Sequence, residues 1–273
     1  MTGPAPGRAQ SDPDLAAVAP VIRAARERAP LVHCLTATVS MGIVADGLLA
    51  AGARPMMTET LAEAPVVTTV ADALAVNLGT LSTDAMDGIP ATVAAAVRDG
   101  RPWVLDPTAI GLAPVRTPLA RRLLDSHPEV VRGNASEVLA LVGAGAGGRG
   151  ADSVAAPAAA EAAAREVARR TGGAVAVSGA TDLVLDAGRQ ALVARGTSLL
   201  TRVTGTGCLL GALTAACCAV EVDPFRAALA ATTWLDLAGE LAAERAAGPG
   251  SFRVELLDAL DAVGQMVENG LGQ

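Results

Sequence analysis

Residues 202–213 read Arg-Val-Thr-Gly-Thr-Gly-Cys-Leu-Leu-Gly-Ala-Leu, which sets a thiol, Cys208, directly behind two glycines and ahead of an apolar run. The pattern predicts a tight turn that opens a helix. The first turn of a helix carries N–H groups without intrahelical partners and a positive potential, so it favours an anion. Gly205 and Gly207, on either side of Thr206, let the backbone approach a phosphate closely. Two readings of Cys208 stand at this level. It is a thiol with a pKa lowered by the helix terminus and facing a bound anion, or a small buried hydrophobe beside a turn. Cys217 and Cys218, farther along the same run, read as hydrophobes.

A second constellation is Asn134-Ala-Ser-Glu137. Asn134 and Glu137, three residues apart where a strand passes into a helix, are able to orient waters around Mg²⁺. They also fit a capping box, and both roles are compatible. Asp106 precedes Pro107 at a strand end and reads as a metal ligand or a turn former. Ser178-Gly179 and Asn77-Leu-Gly79 are further polar punctuation after apolar runs. The Gly-rich stretch 143–152 lacks a preceding strand and the Gly-Lys-Ser/Thr ending of a phosphate loop, and reads as a surface loop. His33, inside an apolar strand, is expected as a hydrogen-bonded core imidazole, and His127, before a Pro, as exposed. No cluster has zinc spacing.

The elements that must carry these residues alternate. Helical spacing covers 14–27, 39–53, 89–100, 118–127, 135–143, the segment after Pro157 to 172, most of 208–247 and 253–268. Short apolar runs at 30–36, 54–57, 73–81, 102–107, 129–134 and 174–179 read as buried strands, and 182–188 with 190–196 as two strands around a turn. Such alternation predicts a largely parallel sheet covered by helices on both faces, with ligands bound at the carboxyl ends of the strands. Residues 1–13 are expected to be a disordered tail and 14–273 one domain. The Gly-x-Gly of 205–207 is a poor dinucleotide fingerprint, because more helix follows it rather than a second strand.

Composition removes other classes. All 21 basic residues are Arg, so no lysine exists for a Schiff base or a Walker-type phosphate contact. A net charge of -7 and 1% aromatics argue against nucleic-acid binding. Four cysteines without a CxxC pair, and no signal peptide, lead to the expectation of a cytoplasmic protein. No apolar stretch reaches the ~18–20 residues of a membrane span.

The motifs Pro-Leu-Val-His-Cys-Leu-Thr (30–36), Gly-Leu-Leu-Ala-Ala-Gly-Ala-Arg-Pro-Met-Met (47–57), Ala-Val-Asn-Leu-Gly-Thr-Leu (75–81), Trp-Val-Leu-Asp-Pro-Thr-Ala-Ile-Gly (103–111), Val-Arg-Gly-Asn-Ala-Ser-Glu (131–137), Ala-Val-Ser-Gly-Ala-Thr-Asp (176–182) and Val-Thr-Gly-Thr-Gly-Cys (203–208) occur in this order. Together they resemble the hydroxyethylthiazole kinase family of the ribokinase-like superfamily. The resemblance implies a three-layer α/β/α fold and ATP-dependent phosphorylation of the primary alcohol of 4-methyl-5-(2-hydroxyethyl)thiazole in thiamin salvage, with Mg²⁺. It implies a catalytic role for Cys208 beside an anion hole formed by Gly205, Thr206 and Gly207, and substrate contacts at Met57 and Gly205. It further implies ATP contacts at Arg116 and Ser178, metal-linked roles for Asn134, Glu137 and Asp106, and a homotrimer with active sites between subunits. The family reads Thr-Asn-x-Val-x-x-Asn-x-x-Ala-Asn after its first strand; Ala37, Gly42 and Asp46 stand here instead of the three asparagines. The first of those normally helps to bind the thiazole, so a kinase for a different small heterocyclic alcohol, or a non-catalytic binding paralogue, stands as the alternative.

Overall fold

The computed structural model describes residues 13–144 and 160–270. Helix α1 (Pro13–Arg28) leads into β1 (Leu31–Leu35), α2 (Met41–Ala50), β2 (Arg54–Met56), α3 (Ala64–Val70), β3 (Ala73–Asn77), α4 (Thr83–Arg98), β4 (Trp103–Asp106), α5 (Arg116–Leu123), β5 (Val130–Asn134) and α6 (Ala135–Leu141). Farther on come α7 (Glu161–Thr171), β6 (Ala174–Ser178), β7 (Asp182–Leu185), β8 (Gln190–Val193), α8 (Thr206–Cys218), α9 (Pro224–Arg245) and α10 (Pro249–Glu268). The strands form one sheet in the order β2-β1-β3-β4-β5-β6-β7-β8. It is parallel from β2 through β6, and β7 and β8 close it as an antiparallel hairpin.

Alternation along the strands splits the core in two. Ala73, Ala75, Val104, Ala174 and Ala176 belong to a cluster with α1, α2, α8, α9 and α10. Leu74, Val76, Trp103, Leu105, Val175 and Val177 face α4, α5, α6 and α7. The first face is built of small side chains and the second of large ones, so α8, itself rich in Ala and Gly, settles close to β3 and β4. That closeness brings the start of α8 to the strand ends.

Most expected elements are present, with shifts at their ends. The helix expected at 89–100 begins at Thr83, because Ser82 caps it by accepting from Ala85 N at 3.0 Å, and it runs through Pro90. α10 begins at Pro249 rather than 253, and the run 208–247 divides into α8 and α9 where Asp223 caps Pro224 onward. α3 was absent from the pattern, since its Val-Val-Thr-Thr-Val run is β-branched and lacks helical periodicity. Of the expected tail, residues 1–12 lie outside the described residues, as does most of the stretch 143–152; Pro13 heads α1.

Candidate active site

The carboxyl ends of four adjacent strands supply the polar groups. Asn77 on β3 pairs in register with Asp106 on β4, and Asn134 on β5 with Ser178 on β6. Asp106 is 2% exposed. Its Oδ1 accepts from the Thr108 hydroxyl at 2.7 Å, and its Oδ2 lies 3.4 Å from Nη1 of Arg132. Burial raises the Asp106 pKa, against the pull of Arg132 and the hydrogen bonds from Thr108 and Asn77. Arg132 spans the gap between strands: its Nη2 donates to Ser178 Oγ at 2.9 Å. Burial opposes its charge, but the carboxylates of Asp106 and Glu137 hold it as a cation.

Asn134 and Glu137 make the capping box. Asn134 Oδ1 accepts from Glu137 N at 3.0 Å, and Glu137 Oε2 accepts from Asn134 N at 2.8 Å. Glu137 also reaches across to the loop after β4, where Oε1 accepts from Ala109 N at 2.8 Å. Burial first, and the charge of Asp106 second, push its carboxyl up to about 7. The expected cap is present, and the same buried carboxyl lies in the field of Asp106.

At the facing end of α8, Gly205 is the N-cap residue with φ 94°, in the left-handed region. A Cβ there would come within 2.5 Å of Ile43 Cγ2, so glycine is required on both counts. Thr206 donates its hydroxyl to Leu200 O at 2.7 Å, anchoring the turn before α8. A Cβ on Gly207 would stand 2.7 Å from Nη1 of Arg132, so the guanidinium rests directly on the first turn of α8. Cys208 follows, half-buried; its sulfur accepts from Asn77 Nδ2 at 3.4 Å. The expected lowering of its pKa is overturned. Burial, and then the charge of Asp106, raise it, and together they outweigh the influence of the Ser40 hydroxyl, Arg132 and the residue's own backbone N–H.

Thus Cys208, Gly207, Asp106, Asn134, Glu137 and Ser178 gather around Arg132. Met57 lies just past β2, two strands from β3, half-buried against the core. Arg116 opens α5 and forms no ion pair with any described residue. Arg132 was not singled out from the sequence as chemistry, and Asn77 only as polar punctuation at a strand end. A charged residue inside the apolar run Val-Val-Arg-Gly-Asn was the available sign for Arg132. His33 is buried, with Nε2 at 2.8 Å from Thr58 O, as expected of a core imidazole, and His127 is exposed.

Among the described residues no group of three or more His, Cys, Asp or Glu forms a metal cage. Two mutually repelling carboxylates, Asp106 and Glu137, are present instead. That set fits Mg²⁺, which binds through one or two carboxylates together with substrate phosphates. No described helix is long and apolar enough to cross a membrane.

The family model described as the hydroxyethylthiazole kinase family matches residues 22–266. The hydroxyethylthiazole kinase of Kineococcus radiotolerans is 53% identical over 249 residues, 90% of each chain. The solved structure of the Pyrococcus horikoshii OT3 hydroxyethylthiazole kinase superposes with a TM-score of 0.83 at 35% identity, covering 93% of this chain and 96% of that one. A ribokinase-like superfamily protein from Enterococcus faecalis, 14% identical with a TM-score of 0.60 over 85% of this chain and 87% of its own, shares the fold. The three-layer ribokinase-like architecture is thereby established, and this chain belongs to the hydroxyethylthiazole kinase family.

Proposed function

We propose that the site transfers the γ-phosphoryl group of ATP to the primary alcohol of 4-methyl-5-(2-hydroxyethyl)thiazole. The observation that carries this reading is the meeting of the Gly205–Gly207 turn and Cys208 with Arg132, Asp106 and Ser178. Phosphoryl transfer asks for alignment and for stabilisation of spread charge rather than for covalent chemistry. The free N–H groups at the start of α8 face the transferring group, and Arg132, fixed by Asp106 and Ser178, neutralises nucleotide phosphates. Arg116, at the head of α5, contacts the nucleotide as the resemblance implies, and Arg132 adds a second cation at the strand ends. Mg²⁺, held through Asp106 and Glu137 with the phosphates, would neutralise charge on the polyphosphate. Cys208 rests as a thiol and orients the acceptor hydroxyl toward phosphorus, with Gly205 and Met57 at the alcohol's side.

The exposed side chains of Met56, Leu61, Val66 and Val70 on and after the edge strand β2 support a homotrimer that covers this edge. A cytoplasmic location goes with the same reading. The test is Mg²⁺- and thiazole-dependent phosphate transfer by the purified protein and by Cys208→Ala. Product from the first, reduced at least about tenfold in the second with ATP still bound, supports the reading. No product with intact ATP binding moves the acceptor to another small heterocyclic alcohol.

A further inference from the structure

On the α8 side of the sheet, Cys34, Ala75 and Val104 stand in register across β1, β3 and β4. Two residues farther along each chain segment come Thr36, Asn77 and Asp106, so an apolar layer gives way to a polar one at the strand ends. Between these layers and the start of α8 lies a cavity of about 10 Å³, roofed by Cys208 and Gly211. That is room for one water molecule, provided polar partners surround it. The residues around it are buried apart from Cys208, which is half-buried.

The polar side chains of the upper layer differ in what already occupies them. Asn77 is spent: Nδ2 donates to Thr108 Oγ1 and to the Cys208 sulfur, and Oδ1 accepts from Gly79 N. Asp106 accepts from Thr108 and faces Arg132. Thr36 is 7% exposed, and its hydroxyl has no hydrogen-bond partner among the described residues. A hydroxyl can donate one bond and accept two, and burying it with none is unfavourable. We propose that Thr36 is a positioning residue for the reaction: its hydroxyl holds one ordered water in this cavity, and that water, shared with Asp106 and Cys208, fixes the direction in which the thiol meets the acceptor hydroxyl. Asn77 ties the sulfur to β3, and the water ties it to the end of β1. The inference rests on the proposed phosphoryl transfer and acts through Cys208.

Two substitutions remove the water by different routes. Thr36→Val replaces the hydroxyl with a methyl group of nearly the same shape. Gly211→Ala fills the cavity instead. A Cβ there would stand 3.4 Å from Asp106 Oδ2, an ordinary contact, and Ala is the better helix former, so this variant keeps the fold even where Thr36→Val does not. Each is expected to lower kcat about five- to tenfold with the KM for ATP within about twofold, and Thr36→Ser to restore most of the rate. A crystal structure of the wild-type protein should place a water within hydrogen-bond distance of Thr36 Oγ1, and those of Thr36→Val and Gly211→Ala should lack it. A dry cavity in the wild type, or a kcat within about twofold of wild type in either variant, overturns the role. A wild-type protein inert toward the thiazole would refute the proposed function, while the crystallographic water would still decide whether Thr36 holds it.

Discussion

The Arg132 guanidinium fills the space that a side chain at position 207 would need, with Nη1 2.7 Å and Nη2 3.0 Å from a Cβ placed there. The turn and the cation are therefore a matched pair, although 75 residues separate them in the chain. Because the obstructing atoms are the tip of a flexible side chain, Gly207→Ala should displace Arg132 rather than unfold the protein. Losing a charge-assisted hydrogen bond is worth about 1.5–3 kcal/mol, so the KM for ATP is expected to rise at least about tenfold. Steady-state kinetics beside a thermal melt check this; an unchanged KM in a folded variant would falsify the pairing.

Arg132→Lys should fare no better. A lysine offers a point charge on a flexible stem and cannot reach both Asp106 and Ser178 in a planar fork. The expected result is a loss of ATP affinity close to that of Gly207→Ala, measured by calorimetric titration of ATP. Wild-type affinity in Arg132→Lys would mean that only net charge matters at this position.

Glu137→Gln separates the cap from the metal. The amide oxygen retains one of the two backbone bonds to Asn134 N and Ala109 N, so some stability is lost, about 1–3 kcal/mol. The loss of charge beside Asp106 should also shift the Mg²⁺ requirement of turnover upward several-fold. A Mg²⁺ titration superimposable on that of the wild type would return Glu137 to capping alone.

Asp236 on α9 gives a pH signature of its own. It is 6% exposed, and its Oδ2 has no hydrogen-bond partner among the described residues. Burial, with Asp182 and Glu240 nearby, pushes its carboxyl up to about 8. An unfolded Asp titrates near ~3.9, so between that pH and about 8 the folded state holds a proton that the unfolded state lacks. Stability from this group is therefore full below about pH 4 and falls as pH rises toward 8, by at most about 1.4 kcal/mol per unit. Denaturant unfolding at pH 5 and pH 8 should show Asp236→Asn losing less than the wild type. Equal losses would place an ionised Asp236 in the fold.

Ala37→Asn tests the altered segment. Ala37 is buried, and a Cβ on Gly79 would lie 3.0 Å from its own Cβ, so an amide at 37 would enter the space beside Asn77. If the thiazole is held as the family resemblance implies, one added hydrogen bond of about 0.5–1.5 kcal/mol lowers its KM by about two- to tenfold. No improvement would show that the acceptor pocket is organised by other residues.

Much of this was legible in the chain. Apolar runs punctuated by Asn77, Asp106, Asn134 and Ser178 gave the strands and their functional ends, because a strand buried on both faces has few places for a polar residue except its terminus. The capping-box spacing of Asn134 and Glu137 was readable for the same local reason. Arg132 was not, since its importance comes from a partner 46 positions away, Ser178. The thiol pKa went the wrong way because the helix terminus is visible in sequence whereas burial and the approach of Asp106 are not. α3 escaped notice because neighbours, not periodicity, make it a helix.

The unequal faces of the sheet bear on how this enzyme family member can be remodelled. On the α8 side, Ala73 and Ala75 of β3 act as a spacer gauge: their lack of bulk sets how near the glycine turn sits to the strand ends. Adding even a pair of methyl groups there would lift the whole helix and open the catalytic gap, with no functional residue touched. The opposite side, thick with Leu, Val and Trp103, can exchange shapes at constant volume without moving that gap. Engineering for thermal robustness therefore belongs on one side of the sheet, and tuning of the reaction's tolerances on the other.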